Sequence, residues 1–253
     1  QYSAQDPFAA YLDLSHLSQK TLDQCTQMID QESTENGITV HVSQTLGDAM
    51  TLYVAYEITY PNTIDIGDPT TYLSGSQYNF SDTMLTLTEG TISDLNQTVT
   101  SIPGSGVSIN YSQTGEHTVA GIFTLTFPTP DLQGKVVSMI FRDPYVNSSH
   151  VFTWTLNSDT DIQTIPLQNA IGQPAGTAFL SPFGLTIALD SPAEAGNTWY
   201  DQIILLDQSG QPIETGSGAG SDEGSQNFSY CFFIPVETTA VKTIQAGPYT
   251  GTL

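Results

Sequence analysis

Positive charge is nearly missing from this sequence. Lys20, Lys135, Arg142 and Lys242 face 26 acidic residues in a chain of 253, for a formal net charge of −22. Binding a phosphate backbone needs clustered Lys and Arg that displace counterions, and these four lie far apart. Nucleic acid is therefore excluded as a partner, and so is docking on anionic lipid through a basic patch. Cysteine is scarcer still, with Cys25 and Cys231 alone. Two cysteines build neither a disulfide framework nor a Cys-based zinc site. They leave two arrangements open: one bridge from the N-terminal segment to the far end, or two buried thiols packing as small hydrophobes. Long apolar runs are also absent. The stretch GTAFLSPFGLTIAL (176–189) is broken by Ser, Pro and Gly and is too short to cross a bilayer. The first residues, QYSAQDPFAAYLDLS, carry neither the basic nor the apolar region of a signal peptide. The chain is soluble, or its anchor lies upstream of Gln1.

Catalytic patterns are missing too. The four histidines, His16, His41, His117 and His150, sit on a polar strand face or beside turns and the helix, and no G-x-S-x-G elbow occurs. With 26 acids, two neighbouring carboxylates are the expected background and do not by themselves indicate glycoside chemistry. No catalytic residue is assigned, and a carboxylate-based secreted hydrolase ranks last among the function classes. Calcium is the one cofactor with candidate ligands, because hard cations take oxygen donors from loops. Those candidates are Asp65 and Asp68 in DIGDP, Asp159 and Asp161 in DTD, and Asp222 and Glu223 in GSDEGS. None of them sits in a D-x-[DN]-x-[DN]-G loop with its distal Glu. Aromatic residues such as Tyr56, Tyr72, Tyr78, Phe80, Trp154, Trp199, Tyr200 and Tyr230 are expected mostly in the core, where strands rely on large side chains.

What is present is periodicity. In YLDLSHLSQKTLDQCTQMIDQ (11–31), Leu14, Leu17, Leu22, Cys25, Met28 and Ile29 recur at three-to-five-residue steps, which predicts one helix capped by Asp13 or Ser15. ESTENG then breaks it. From Gly37 the period becomes two: Ile38, Val40 and Val42 alternate with polar residues, and after TLGD so do Met50, Leu52, Val54, Tyr56 and Ile58. This is strand, turn, strand with one face on a core. Residues 61–80 read as a loop. Further strands are expected at 83–88, 106–113, 117–128, 134–143 and 150–157, punctuated by SIPGSG, SQTGEH and PDLQG. Strands recur in DIQTIPL, TAFLSPFGLTIALD, TWYDQIILLDQSGQPIE, NFSYCFFIPV and AVKTIQAG, while GSGAGSDEGSQ (216–226) is expected to be a mobile loop. The fold class expected is mainly β, two immunoglobulin-like antiparallel β-sandwich domains preceded by one N-terminal helix. The divisions are a helical lead-in at 1–34, a first sandwich at 35–158 and a smaller second one at 159–253.

The stretch PFAAYLDLS…STENGITVHVSQTLGDAMTLYVAYEI resembles an extracytoplasmic domain of unknown function found in membrane-anchored anti-sigma-factor-like proteins of Gram-positive bacteria. The residues that carry the resemblance are Asn36, Gly37, Ile38, Val40, Asp48, Leu52, Tyr53, Val54, Tyr56 and Ile58. VFTWTLN around Trp154 looks like that domain's closing strand, and FLSPFGLTIAL (179–189) is similar to the β-domain that often follows it. Likeness to this family implies a cell-surface location, an upstream membrane helix not present in this chain, and a cytoplasmic anti-sigma-like part. It implies a non-enzymatic sensory or ligand-binding ectodomain whose partner is an extracellular ligand or protein. It supplies no catalytic residues. The alternative class is a structural or adhesive surface protein that binds glycan or protein.

Overall fold

The computed structural model describes residues 7–63, 84–88, 100–101, 107–126, 133–134, 136–143, 148–158, 160–192, 203–216, 218–220 and 226–253. The chain is mainly β. The first nine strands are β1 (Thr26–Glu35), β2 (Ile38–Gly47), β3 (Thr51–Thr59), β4 (Met84–Thr88), β5 (Thr100–Ser101), β6 (Val107–Gly115), β7 (Thr118–Thr126), β8 (Val136–Asp143) and β9 (Ser148–Thr155). They form two antiparallel sheets, one ordered β1-β2-β3-β7-β6 and one ordered β5-β4-β8-β9. The second nine are β10 (Gln163–Gln168), β11 (Pro174–Leu180), β12 (Gly184–Leu189), β13 (Ile203–Asp207), β14 (Pro212–Ile213), β15 (Gly218–Gly220), β16 (Asn227–Cys231), β17 (Val241–Ala246) and β18 (Tyr249–Thr252). These make one antiparallel sheet ordered β14-β13-β17-β18-β10-β11-β12-β16-β15. Among the described residues no strand ladder joins the first nine strands to the second nine.

The alternating run seen in the sequence becomes β2 and β3. Val40 lies opposite Ile58 and Val42 opposite Tyr56, and all four are buried. On the neighbouring strand Val119 continues the row from Ile58. Met139, Phe152, Trp154 and Leu156 supply buried side chains from the four-stranded sheet and the residues just after it. The second unit has its own core, with Leu180, Leu185, Ile187, Phe228, Tyr230, Phe232 and Ile244 in one apolar cluster. Each such side chain contributes roughly 1.5–3 kcal/mol on burial.

The predicted helix is shorter than its apolar spacing implied. Only α1 (Gln19–Cys25) is helical, with Ser18 as its N-cap accepting a hydrogen bond from the Thr21 N–H. Met28, Ile29 and the ESTE segment belong instead to β1, which pairs with β2 from Thr26↔Leu46 to Glu35↔Ile38. The reason is local. Asn36 and Gly37 take φ of 51° and 82°, the left-handed pair of a two-residue hairpin turn, so the strand before them is folded back onto β2. Residues 26–35 therefore belong with the first sheet, which moves the start of the first β unit from 35 to 26. Within 216–226, residues 218–220 form β15 along β16. Residues 64–80 of the expected 61–80 loop lie outside the described residues.

β1 is also the seam between the two sheets of the first unit. Gln31 Nε2 donates to the Thr153 carbonyl at 2.8 Å, and its Oε1 accepts from the Thr153 N–H at 3.1 Å. Gln27 does the same one step along, donating to the Thr155 carbonyl at 2.9 Å and accepting from the Asn157 N–H at 3.3 Å. Two glutamine amides thus stand in for the peptide groups that a neighbouring strand would present to β9. A bulge between Met28 and Gln31 accommodates Asp30 at φ 48°, and its carboxylate meets His41 Nε2 at 3.1 Å. Gln31→Ala leaves both Thr153 peptide groups without this partner. It is expected to cost about 1–2 kcal/mol in urea denaturation, with faster hydrogen exchange at the Thr153 amide and little change at Ile187.

Candidate functional site

The hairpin turn TLGDAMT does not project into solvent. Asp48 is fully buried, and Ala49, Met50 and Thr51 are almost as hidden. A buried turn must satisfy its own polar groups. Asp48 N–H donates to the Thr51 carbonyl at 2.8 Å, and Asp48 Oδ1 accepts from the N–H groups of Met50 at 2.7 Å and Thr51 at 3.0 Å. Gly47 adopts φ 144°, and a Cβ there would fall 2.1 Å from the Thr51 carbonyl oxygen. Only glycine closes this turn.

The turn is covered by the second β unit. Residues 181–184 form a tight connection in which Ser181 Oγ accepts from the Gly184 N–H at 3.1 Å. Gly184 lies so close to the hairpin that a Cβ would be 2.3 Å from Thr51 Oγ1 and 2.6 Å from the Tyr230 carbonyl oxygen. Tyr53 sends its hydroxyl to the Phe232 carbonyl, and its ring meets Phe183 edge-on with centroids 6.2 Å apart. The N-terminal segment closes the third side. Phe8, Leu12, Leu14, Leu17, Leu22 and Cys25 form one apolar cluster with Leu46, Tyr53, Ala55 and Ile122 of the first sheet and Phe183 of the second unit. This explains why Thr51–Tyr56 is buried without a break, although strand side chains alternate faces.

Polar ties fasten the same segment to the second unit. Asp13 N–H donates to the Phe233 carbonyl at 3.0 Å. Glu237 Oε1 accepts from the Ser18 N–H at 2.7 Å and from the Thr21 hydroxyl at 2.8 Å. Burial pushes the Glu237 carboxyl up, but the Ser18 N–H, the Thr21 and Ser18 hydroxyls and the charge of Lys20 outweigh it. The group is held below the ordinary glutamate value.

The buried titratable groups run the other way. Burial raises Asp48, against the Ser181 hydroxyl and the Met50 and Thr51 N–H groups that favour its charged form. Its Oδ2 has no hydrogen-bond partner. Burial, aided by the Asp48 and Glu237 charges and opposed by Thr160, pushes the Cys25 thiol up to about 12. Tyr53 is raised well above the usual phenol value by burial, then by Cys231 and Asp48. Acid, thiol and phenol are all biased toward holding their protons. A thiol so disposed is a poor nucleophile at neutral pH.

Asp65, Asp68, Asp159, Asp222 and Glu223 lie outside the described residues, and Asp161 is exposed. Among the described residues no group of three or more His, Cys, Asp or Glu side chains is placed to hold a metal ion. Cys25 and Cys231 are both buried and form no disulfide, which decides between the two arrangements left open. Tyr56, Trp154 and Tyr230 are buried, as expected of core aromatics, while Tyr72, Tyr78, Phe80, Trp199 and Tyr200 lie outside the described residues. His150 is buried against Ser33 Oγ at 3.0 Å. Sequence reasoning missed the junction. Its one local signal was an Asp after Gly in a turn flanked by two apolar strands.

No family model matches this chain, and no curated protein does. Among solved structures, the conserved domain protein from Bacillus anthracis is similar in fold, with a TM-score of 0.53 at 14% identity. The likeness covers 87% of this chain and 75% of that one.

Two outcomes test the junction. Gly184→Ala forces the two units apart at backbone and is expected to lower stability by about 1–3 kcal/mol in chemical denaturation. Glu237→Gln is expected to equal wild type in acid and to fall behind it at higher pH. A depressed folded-state value gives stability that is complete above the ordinary 4.5 and is lost as pH falls through the lower folded value. Thermal melts of both proteins across that range check the sign.

Proposed function

We propose that this chain is the non-enzymatic sensory or ligand-binding ectodomain of a membrane-anchored anti-sigma-like regulator, held at the cell surface by a helix upstream of Gln1. In this reading the two β units are immunoglobulin-like sandwiches, dividing near residue 158, and the partner is an extracellular ligand or protein. The supporting observation is the course of the N-terminal segment. Residues 8–25 pack on the first sheet and are tied to the second unit through Phe233 and Glu237. A shift between the units would thus be felt by the chain that leads toward the membrane, and tension from that side would be felt at the junction. Such a relay works only if the ligand binds the two arrangements with different affinity. The family resemblance of residues 35–58 supports the same reading, and the acidic surface suits an extracellular setting.

The test uses the full-length gene in its own host. The protein is expected in the membrane fraction with this part accessible to added protease from outside. Deleting the gene is expected to raise transcription from one sigma-dependent promoter class. Leu14→Ala combined with Leu17→Ala, which loosens the N-terminal segment, is expected to change that output by about fivefold or more. A cytoplasmic location, or unchanged sigma-dependent transcription after deletion, overturns the proposal.

A further inference from the structure

We propose that the Asp48 carboxyl is a proton-operated latch on the junction: protonated, it keeps the hairpin turn seated between the two β units, and its ionisation unseats the turn. Asp48 is fully buried at the tip of the β2–β3 hairpin, facing Ser181 of the second unit and Cys25 and Tyr53 of the apolar cluster at the junction. Oδ1 is occupied by the Met50 and Thr51 N–H groups, while Oδ2 has no partner. Among the described residues no Lys, Arg or His forms an ion pair with it.

The groups facing it offer no counter-charge. α1 brings the Cys25 thiol, β3 the Tyr53 phenol, and the 181–184 connection the Ser181 hydroxyl. One step further out, Glu237 acts on Cys25 and Cys231 acts on Tyr53, and both carry negative charge or none. An ionised Asp48 would therefore be a buried carboxylate without a cation, which proteins avoid by keeping the proton or admitting water. Lifting the turn off Gly184, which packs closely on Thr51, would admit water to this site. Both apolar cores would survive that movement, so the response is a loosening between units and not unfolding.

The sign follows from linkage. A carboxyl whose folded value lies above the ordinary 3.8 stabilises the seated state fully below that value. The contribution is lost as pH rises through the folded value, and each unit of elevation is a tenfold change in the seating equilibrium. The inference concerns the isolated chain and stands apart from the ectodomain reading.

The two buried cysteines are built-in reporters, since Cys25 contacts the cluster around Tyr53 and Cys231 acts on Tyr53 itself. The experiment compares wild type with Asp48→Asn, which keeps an oxygen for the two N–H groups but cannot ionise. Labelling of both thiols by a neutral disulfide reagent is followed from about pH 4 to pH 8. The wild-type-to-variant rate ratio is expected to be near one in acid and to rise by up to tenfold per pH unit before levelling off. Direct electrostatics cannot mimic this, because the Asp48 charge suppresses the Cys25 thiolate and would lower the ratio. A ratio that stays flat or falls overturns the proposal. So does abolition of the rise by millimolar calcium at constant ionic strength, which would assign Oδ2 to a cation instead of a proton. Should Asp48→Asn not fold, wild-type hydrogen exchange decides. Protection at Met50 and Thr51 falling with pH relative to Ile187 and Ile244 supports the latch, and parallel changes at all four overturn it.

Discussion

The two β units meet around a polar turn that has been taken out of water. Removing Asp48, Thr51 and their peptide groups from solvent is tolerable because the turn makes its own hydrogen bonds: Asp48 N–H to Thr51, and Oδ1 to two N–H groups. The closeness of those bonds dictates glycine at 47, and the closeness of the second unit dictates glycine at 184. Tyr53 then extends the contact from the turn to Phe183 and Phe232. The N-terminal segment can lie flat over Leu46, Tyr53 and Ala55 only because this corner is already closed.

The acidic side chains divide by environment. Asp13 is held below the ordinary aspartate value by the Ser15 hydroxyl and N–H, and Asp207 by the Gln211 N–H and Ser209. Glu237, at the rim, is held down by Ser18, Thr21 and Lys20 in spite of partial burial. Among the described carboxyl groups with a clear shift, Asp48 alone is driven up by burial. The rim and the interior of one junction therefore respond to pH in opposite senses, the contribution of Glu237 being lost as pH falls and that of Asp48 as pH rises.

Local rules carried the strand order a long way. Ile38 to Ile58 read as two paired strands because period two is unmistakable in the sequence there, although Thr51–Tyr56 is buried on both faces. Asn36-Gly37 was equally readable as a hairpin turn, yet the apolar spacing of Leu14 to Ile29 pointed to a longer helix. That spacing comes from an irregular segment, a seven-residue helix and a bulged strand in succession; Leu14, Leu17, Leu22 and Cys25 pack inward, whereas Met28 is exposed. The junction was illegible for a different reason. Tyr53 and its acceptor Phe232 are 179 residues apart in sequence, and neither turn shows by itself that the other covers it. The acid-rich loops drew notice because carboxylates are conspicuous in a sequence, whereas the acid that matters for the architecture is a single residue in an apolar hairpin.

The glutamine pair on β1 has one more consequence. An uncovered strand edge is a template on which another chain can add itself and start an aggregate. At Thr153 and Thr155 the edge of β9 is occupied by side-chain amides from the same molecule. A peptide ladder of that kind would fuse the two sheets into one continuous surface and fix their angle. Amides on flexible stems cap the same groups while letting each sheet keep its own twist. At these positions the edge of β9 therefore offers a neighbouring copy no open peptide groups to pair with.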